Sequence, residues 1–458
     1  MIIKILNKIC FGLLLLTFFS CSNDENEELF GTSPSARIDQ KITELQNLLL
    51  ASPDGYKAVY FTKNDEFGGF TFYMKFKSDG TVDMTSDVDT ETAVTTGNYE
   101  VKLGTSVELI FTTRNQIHKV SDNDLTGLRG TGYKGNSNFQ YIKNEGGKIT
   151  FREPRHGATL VFEPVTAAEW DNVNITLGRR SSLLPSVTSS VFQGLTIEDA
   201  SGNKVVYSFD YDSLRLFVKS QNQSDGSIKE VSYGIAYTPE GLVVSPAIEI
   251  GGNSYENFIF DATSGSYVSE VGGNKATIGF IDRPTVISND IDKLTTVGFR
   301  TFSHRVSWGT SPRTSLGFNN LITQINTNLI PDNESYNRFE ILLENTNTTG
   351  TGNPGIINLW INMRGNNAAT SFWANYRFEA IIIDKILRLT YLGTGNPNGN
   401  YYEAKVQPML DFFASSDGLY FENHGSFKTD ISNFSNSSAS FTSLEDPALR
   451  IYGLFFGN

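Results

Sequence analysis

Cys21, four histidines and a scatter of carboxylates are the residues whose chemistry depends most on their neighbours. Cys21 follows Ser20 at the end of an apolar run, Phe11 to Phe19, and Cys10 lies just before that run. Removal of a leader ending at Ser20 leaves Cys21 as both the N-terminal residue and the sole thiol, placed for acylation of its sulfur. No disulfide within one mature chain, thiolate metal site or cysteine nucleophile is then available. His118, His156, His304 and His424 are far apart in sequence, with no pair three to five residues apart and no HExxH, so they read as structural. Asp87, Asp89 and Glu91 alternate, which sets three carboxylates on one side of an extended segment, the oxygen chemistry that calcium takes. The EF-hand spacing is absent and Thr90 and Thr92 flank Glu91, so the segment reads as a solvated loop; no metal and no cofactor is expected. Gly130 to Gly135 and Gly350 to Gly355 both match GxGxxG, but each lies between expected strands and reads as a turn. No GxSxG elbow is present, and 50 acidic residues offer no marked glycosidase pair, so no catalytic residue is assigned.

The leader has the remaining marks of an export signal. Lys4 and Lys8 precede the apolar run, which is too short for a membrane span. Ser20-Cys21 resembles a bacterial lipobox, although Phe18 and Phe19 stand where an aliphatic and a small residue are usual. Ser22 to Glu28 is polar and acidic, and resembles the tag that directs Bacteroidetes lipoproteins to the cell surface. The expected address is the outer membrane, lipid-anchored through Cys21 and exposed at the cell surface.

The chain has 458 residues and a formal net charge of −13, which becomes more negative once Lys4 and Lys8 are removed. Such a surface repels phosphate backbones, so nucleic acid is excluded as a partner. With 33 Phe, 19 Tyr and 41 Gly, the composition favours β structure with many turns. The expected fold is mainly β: two or three β-barrel or sandwich domains with a few short helices.

The elements that must position these residues follow from periodicity. Residues 1–20 are the signal peptide and 21–34 an acidic tether. Residues 35–165 form a helix plus β domain: Ile38, Ile42, Leu45 and Leu49 have helical spacing, and about eight strands follow. Phe70, Phe72, Met74 and Phe76 alternate with Thr71, Tyr73 and Lys75, which predicts a half-buried strand. Residues 166–300 form a second β domain behind a linker over 164–189, with a helical turn near Ala167 to Asp171 and a strand over Leu214 to Val218. Residues 301–458 form a C-terminal helix plus β domain, with helices over 315–329 and 405–414. One helix followed by strands thus describes both the first and the last unit. Trp170, Trp308, Trp360 and Trp373 are the flat surfaces on which a sugar or porphyrin would stack, with core packing as the default; in Ile356 to Ile361, either Leu359 or Trp360 is buried.

Several ordered segments carry a family resemblance: Asn47-Leu48-Leu49, Pro53 to Lys57, Gly68 to Phe76, Asp79 to Met84 and Ser86-Asp87. Asn138 to Ile142 and Arg155-His156-Gly157 extend it, while Tyr56 replaces an expected Trp. The run resembles the DUF4302 family of Bacteroidetes outer-membrane lipoproteins, over about 36–265. The resemblance implies a non-enzymatic accessory binding component of a nutrient-uptake system, with the lipid anchor and a TonB-dependent uptake complex as partners. It supplies no catalytic or ligand-binding residues. A cell-surface hydrolase of glycans or peptides, and a structural or adhesive surface protein, are the alternative readings. Cys21→Ser is expected to release the protein from the membrane fraction; fractionation that finds the variant as tightly held as the parent contradicts the anchor.

Overall fold

A computed structural model describes residues 33–222, 229–295, 299–366 and 370–456. The leader, Cys21 and nearly all of the tether lie outside the described residues. Ser33 Oγ accepts from Ala36 N, and Pro34 fits the first turn of α1 (Pro34–Ala51). Leu45 and Leu49 of this helix are buried in the first core, with Ile42 and Leu48 packed beside them.

The strands β1 (Tyr56–Phe61), β2 (Gly69–Phe76), β3 (Thr81–Ser86), β4 (Thr95–Leu103), β5 (Val107–Phe111), β6 (Asn138–Glu145), β7 (Lys148–Arg152) and β8 (Thr159–Pro164) form a closed barrel in sequence order. It closes antiparallel, with Tyr56 opposite Pro164 and Lys57 opposite Glu163. Closure leaves no unpaired edge, and alternate residues such as Phe72, Met74, Phe139, Phe151 and Phe162 fill the interior. β2 departs from the half-buried pattern: Thr71 and Tyr73 on its outer side are also buried. Thr71 bonds the Tyr237 carbonyl and Tyr73 packs on Trp170, so neighbouring elements cover a face that alternation alone assigns to water.

The connection after β8 is more ordered than a linker. A 3-10 turn over Ala167–Asp171 runs straight into α2 (Asn172–Arg179). A nine-stranded antiparallel sheet follows: β9 (Gln193–Glu198), β10 (Lys204–Ser208), β11 (Asp210–Asp212), β12 (Phe217–Asn222), β13 (Lys229–Tyr237), β14 (Gly241–Ile250), β15 (Asn253–Asp261), β16 (Ser266–Val271) and β17 (Asn274–Phe280). Its order is β10-β9-β17-β16-β15-β14-β13-β12-β11. The two edges, β10 and β11, are halves of one stretch of chain interrupted at Phe209, so the sheet curls back on itself as a second, nearly closed barrel. The strand expected over Leu214 to Val218 instead begins at Phe217, because Leu216 turns with φ +52°.

The third unit is another closed eight-stranded barrel. It comprises β18 (Thr301–Arg305), α3 (Leu316–Leu329), β19 (Glu334–Leu342), β20 (Gly355–Gly365), β21 (Ser371–Ile383), β22 (Ile386–Thr394), α4 (Pro397–Phe413), β23 (Leu419–Lys428), β24 (Asn433–Ser443) and β25 (Arg450–Phe456). β18 precedes α3, so this unit does not repeat the helix-first order of the first. The helix expected over 405–414 starts at Pro397, capped by Asn396, whose side chain accepts from Gly399 N. Asn398, Gly399 and Pro408 are poor helix formers, and the burial of Tyr402, Val406, Leu410 and Phe413 overrides them. Among the described residues no helix is long and apolar enough to cross a membrane.

The first two barrels meet backbone to backbone. Gly68 N donates to Arg215 O at 2.8 Å. A Cβ on Gly68 would strike the carbonyl oxygens of Leu216 and Ile235, and one on Gly234 would lie 2.6 Å from Phe67 O. Their apolar cores form one continuous cluster. Gly68→Ala is therefore expected to cost about 1–3 kcal/mol of unfolding free energy. Gly178→Ala, where a Cβ meets nothing within 4 Å on α2, should instead stabilise by up to about 1 kcal/mol. Denaturant titration of the pair checks this; equal, small effects would contradict the tight junction.

Candidate functional site

The residues with suggestive spacing mostly resolve into structural roles. His118 Nδ1 accepts from Asn115 N at 3.2 Å and helps cap a 3-10 turn. His156 is exposed, and its backbone N donates to the buried carboxylate of Glu153. Glu153 also takes Arg155 N at 2.7 Å and Asn136 Nδ2 at 2.9 Å, so one carboxylate ties Arg155-His156 to the turn just before β6. His304 bonds the Tyr336 hydroxyl at 3.0 Å, and burial pushes its pKa down to about 4. Asp87, Asp89 and Glu91 do not converge. Asp87 is 1 % exposed and lies 3.5 Å from Arg180 Nη2, whereas Asp89 and Glu91 both approach Lys119. Among the described residues no group of three or more His, Cys, Asp or Glu could hold a metal ion.

The tryptophans are partly buried. Trp170 Nε1 donates to Asp54 O, fixing α2's entry against the first barrel. Trp308 sits among Phe427, Phe434 and Phe456, under the guanidinium of Arg305. Leu359 is buried and Trp360 faces outward against Trp373, which Arg338 covers at 4.6 Å.

Charged groups converge instead at a cavity of about 380 Å³ where the chain leading from α2 to β9 meets the third barrel. β23 supplies Glu422 and His424, β24 supplies Ser440 and β25 supplies Arg450. The segment before α3 gives Pro312 and Arg313, and the connecting chain gives Pro185 and Val191. Glu422 and Ser440 are register partners, and His424 lies two residues along the same face.

Arg450 holds these walls together. Its Nε donates to Arg313 O at 2.7 Å, and its Nη2 to Ser186 O at 3.2 Å and Pro312 O at 3.4 Å. Its backbone exchanges bonds with Ser315, the N-cap of α3. The residue is 2 % exposed, and Nη1 has no hydrogen-bond partner. Burial pulls its pKa below the usual arginine value, with Glu422 opposing that shift.

The same field acts on its neighbours. Burial pushes the His424 pKa down to about 4, and the charges of Arg313 and Arg450 add to the effect, so the ring is neutral near pH 7. Its Nε2 lies 2.9 Å from Ser440 Oγ. Burial raises the Glu422 pKa, with Asp290 adding to the rise and both arginines opposing it. The site therefore presents two guanidiniums, one neutral imidazole with a serine hydroxyl, and one partly desolvated carboxylate. That set suits recognition of a polar ligand with negative charge.

Of these residues, only His424 carries a sequence-level signal, as one of four histidines. Arg313, Glu422 and Arg450 come from three remote segments and match no motif.

The DUF4302 family, described as a domain of unknown function, matches residues 26–262, more than half of the chain, and the protein belongs to it. The match ends at the close of β15, so the third barrel and most of the cavity lie beyond it. No curated protein matches the chain.

Arg450→Met removes donors from three carbonyls and is expected to lower the unfolding free energy by about 2–3 kcal/mol. Amide hydrogen exchange should quicken in 185–191 and 311–315. Unchanged exchange in both segments would contradict the role given to this side chain.

Proposed function

We propose that the protein is a lipid-anchored, surface-exposed binding component of a nutrient-uptake system, and that the cavity beside the third barrel holds its ligand. The observation that carries this reading is the convergence of Arg313, Glu422, His424 and Arg450 on one cavity of about 380 Å³, within the range of small-molecule sites. The anchor rests on the leader and Cys21, surface display on the acidic tether, and the uptake context on the family resemblance.

One contact favours a second reading, a cell-surface hydrolase: His424 Nε2 lies 2.9 Å from Ser440 Oγ, as a base would from a nucleophile. Against it, Ser440 sits within the regular pairing of β24, is 1 % exposed, and has no sharp turn to present its hydroxyl. The other ring nitrogen of His424 has no hydrogen-bond partner among the described residues, so nothing orients the imidazole as a base.

The mature chain carrying Cys21→Ser, dialysed against glycan, peptide and porphyrin panels, is expected to bind a ligand saturably and return it chemically unchanged. Product formation that survives repurification and is lost in Ser440→Ala would establish the hydrolase instead. No saturable binding from any panel would overturn the binding role.

A further inference from the structure

Opposite charges line this cavity without pairing. The Arg313 guanidinium lies over the Tyr452 ring at 5.7 Å and has no carboxylate partner among the described residues. Glu422 is half-buried, and its carboxylate has no hydrogen-bond donor or ion-pair partner among them. Elsewhere in the same barrel such groups meet directly, as Arg305 does with Glu340 at 3.2 Å and Lys405 with Asp332. A partly desolvated carboxylate with no donor from the protein, and a guanidinium on the same cavity that does not meet it, are both left to pair with what fills the space.

The charge balance restricts what fills it. Two guanidiniums, Arg313 and Arg450, face one carboxylate, and His424 is neutral. Asp290, behind Glu422, is satisfied by Lys293 Nζ at 3.0 Å and Asn423 N at 3.0 Å. The surplus is a single positive charge when Glu422 is ionised. A single ligand carboxylate matches it, whether on a monoanion such as a sugar acid or on a zwitterion whose ammonium meets Glu422; a phosphate dianion would bring a second charge against Glu422. Pro185, Val191 and Pro312 provide apolar wall for a short carbon skeleton. The volume, near the lower end for small-molecule sites, suits a sugar acid or an amino acid.

We propose that this cavity binds a small monocarboxylate that also carries a hydrogen-bond donor. The carboxylate meets Arg313 in the field of Arg450, and the donor, a hydroxyl or an ammonium, satisfies Glu422. This inference rests on the cavity being the ligand site. Arg313 is exposed and Glu422 half-buried, so conservative changes at both leave the core intact.

Isothermal titration of the mature Cys21→Ser chain with glucuronate and L-serine tests it. Glucose and L-serinamide lack the carboxylate, and inorganic phosphate replaces it. Glucuronate or L-serine is expected to saturate a single site, with glucose, L-serinamide and phosphate at least about tenfold weaker. Arg313→Gln should weaken the carboxylate by at least about tenfold. Glu422→Gln should weaken L-serine more than glucuronate, because only the former presents an ammonium. Equal binding of glucose or phosphate, unchanged affinity in Arg313→Gln, or no binding by either carboxylate overturns the inference. If the carboxylates fail while a glycan, peptide or porphyrin binds, the ligand class is wrong and the binding role stands. If nothing binds from any panel, both fall.

Discussion

A buried guanidinium, that of Arg450, is the constraint on which the site depends. Removing an arginine from water is costly unless its N–H groups are paired. Here Nε and Nη2 go to main-chain carbonyls of Arg313, Pro312 and Ser186, from two separate segments. Hydrogen bonds from a charged donor are stronger than neutral ones, so this one side chain fixes where the connecting chain and the start of α3 lie. The charge is only partly compensated, since its partners are dipoles rather than a direct carboxylate. What remains adds to the burial that keeps His424 neutral, and draws toward ionisation a glutamate that burial pushes the other way. Wall geometry and cavity potential therefore share a cause.

The cavity also lies at a seam between two kinds of assembly. The first two barrels share a continuous apolar core and a junction where Gly68 and Gly234 leave no room for a side chain. Arg180, just after α2, lies 3.5 Å from the buried Asp87 and ties the connecting chain to the first barrel. The third barrel has its own core and joins through a small apolar cluster of Phe192, Ile386, Tyr420 and Leu444 together with polar contacts. Leu316 N donates to Val187 O at 2.7 Å, Phe192 meets Tyr420 edge-on at 5.1 Å, and Arg283 pairs with Asp417. The cavity lies on this seam, with the connecting chain on one side and the third barrel on the other. A ligand there touches both the connecting chain and the third barrel.

The legible parts of the fold are those where side-chain period and burial agree. Phe70, Phe72, Met74 and Phe76 declare a strand, and Ile42, Leu45 and Leu49 a helix, because each faces one core. β23 and β24 are not legible: Asn423 to Ser426 and Asn433 to Ser440 are Gly-, Ser- and Asn-rich and read as loop. The pairing of Phe421 with Phe441, deep in the barrel, is what makes them strands. The site was hidden for the same reason. Glu422, His424 and Ser440 project from strands that composition disguises, and closure of the barrel brings Arg450 alongside. Nothing in one sequence links position 313 to positions 422 and 450.

A crystal structure of the mature chain with glucuronate or L-serine bound tests the central claim most directly. The account predicts the ligand in this cavity, its carboxylate within hydrogen-bond distance of the Arg313 guanidinium and a hydroxyl or ammonium on Glu422, with Arg450 still holding Ser186, Pro312 and Arg313. A structure in which Arg313 and Glu422 pair directly, the connecting chain fills the space, and the ligand sits elsewhere would contradict it.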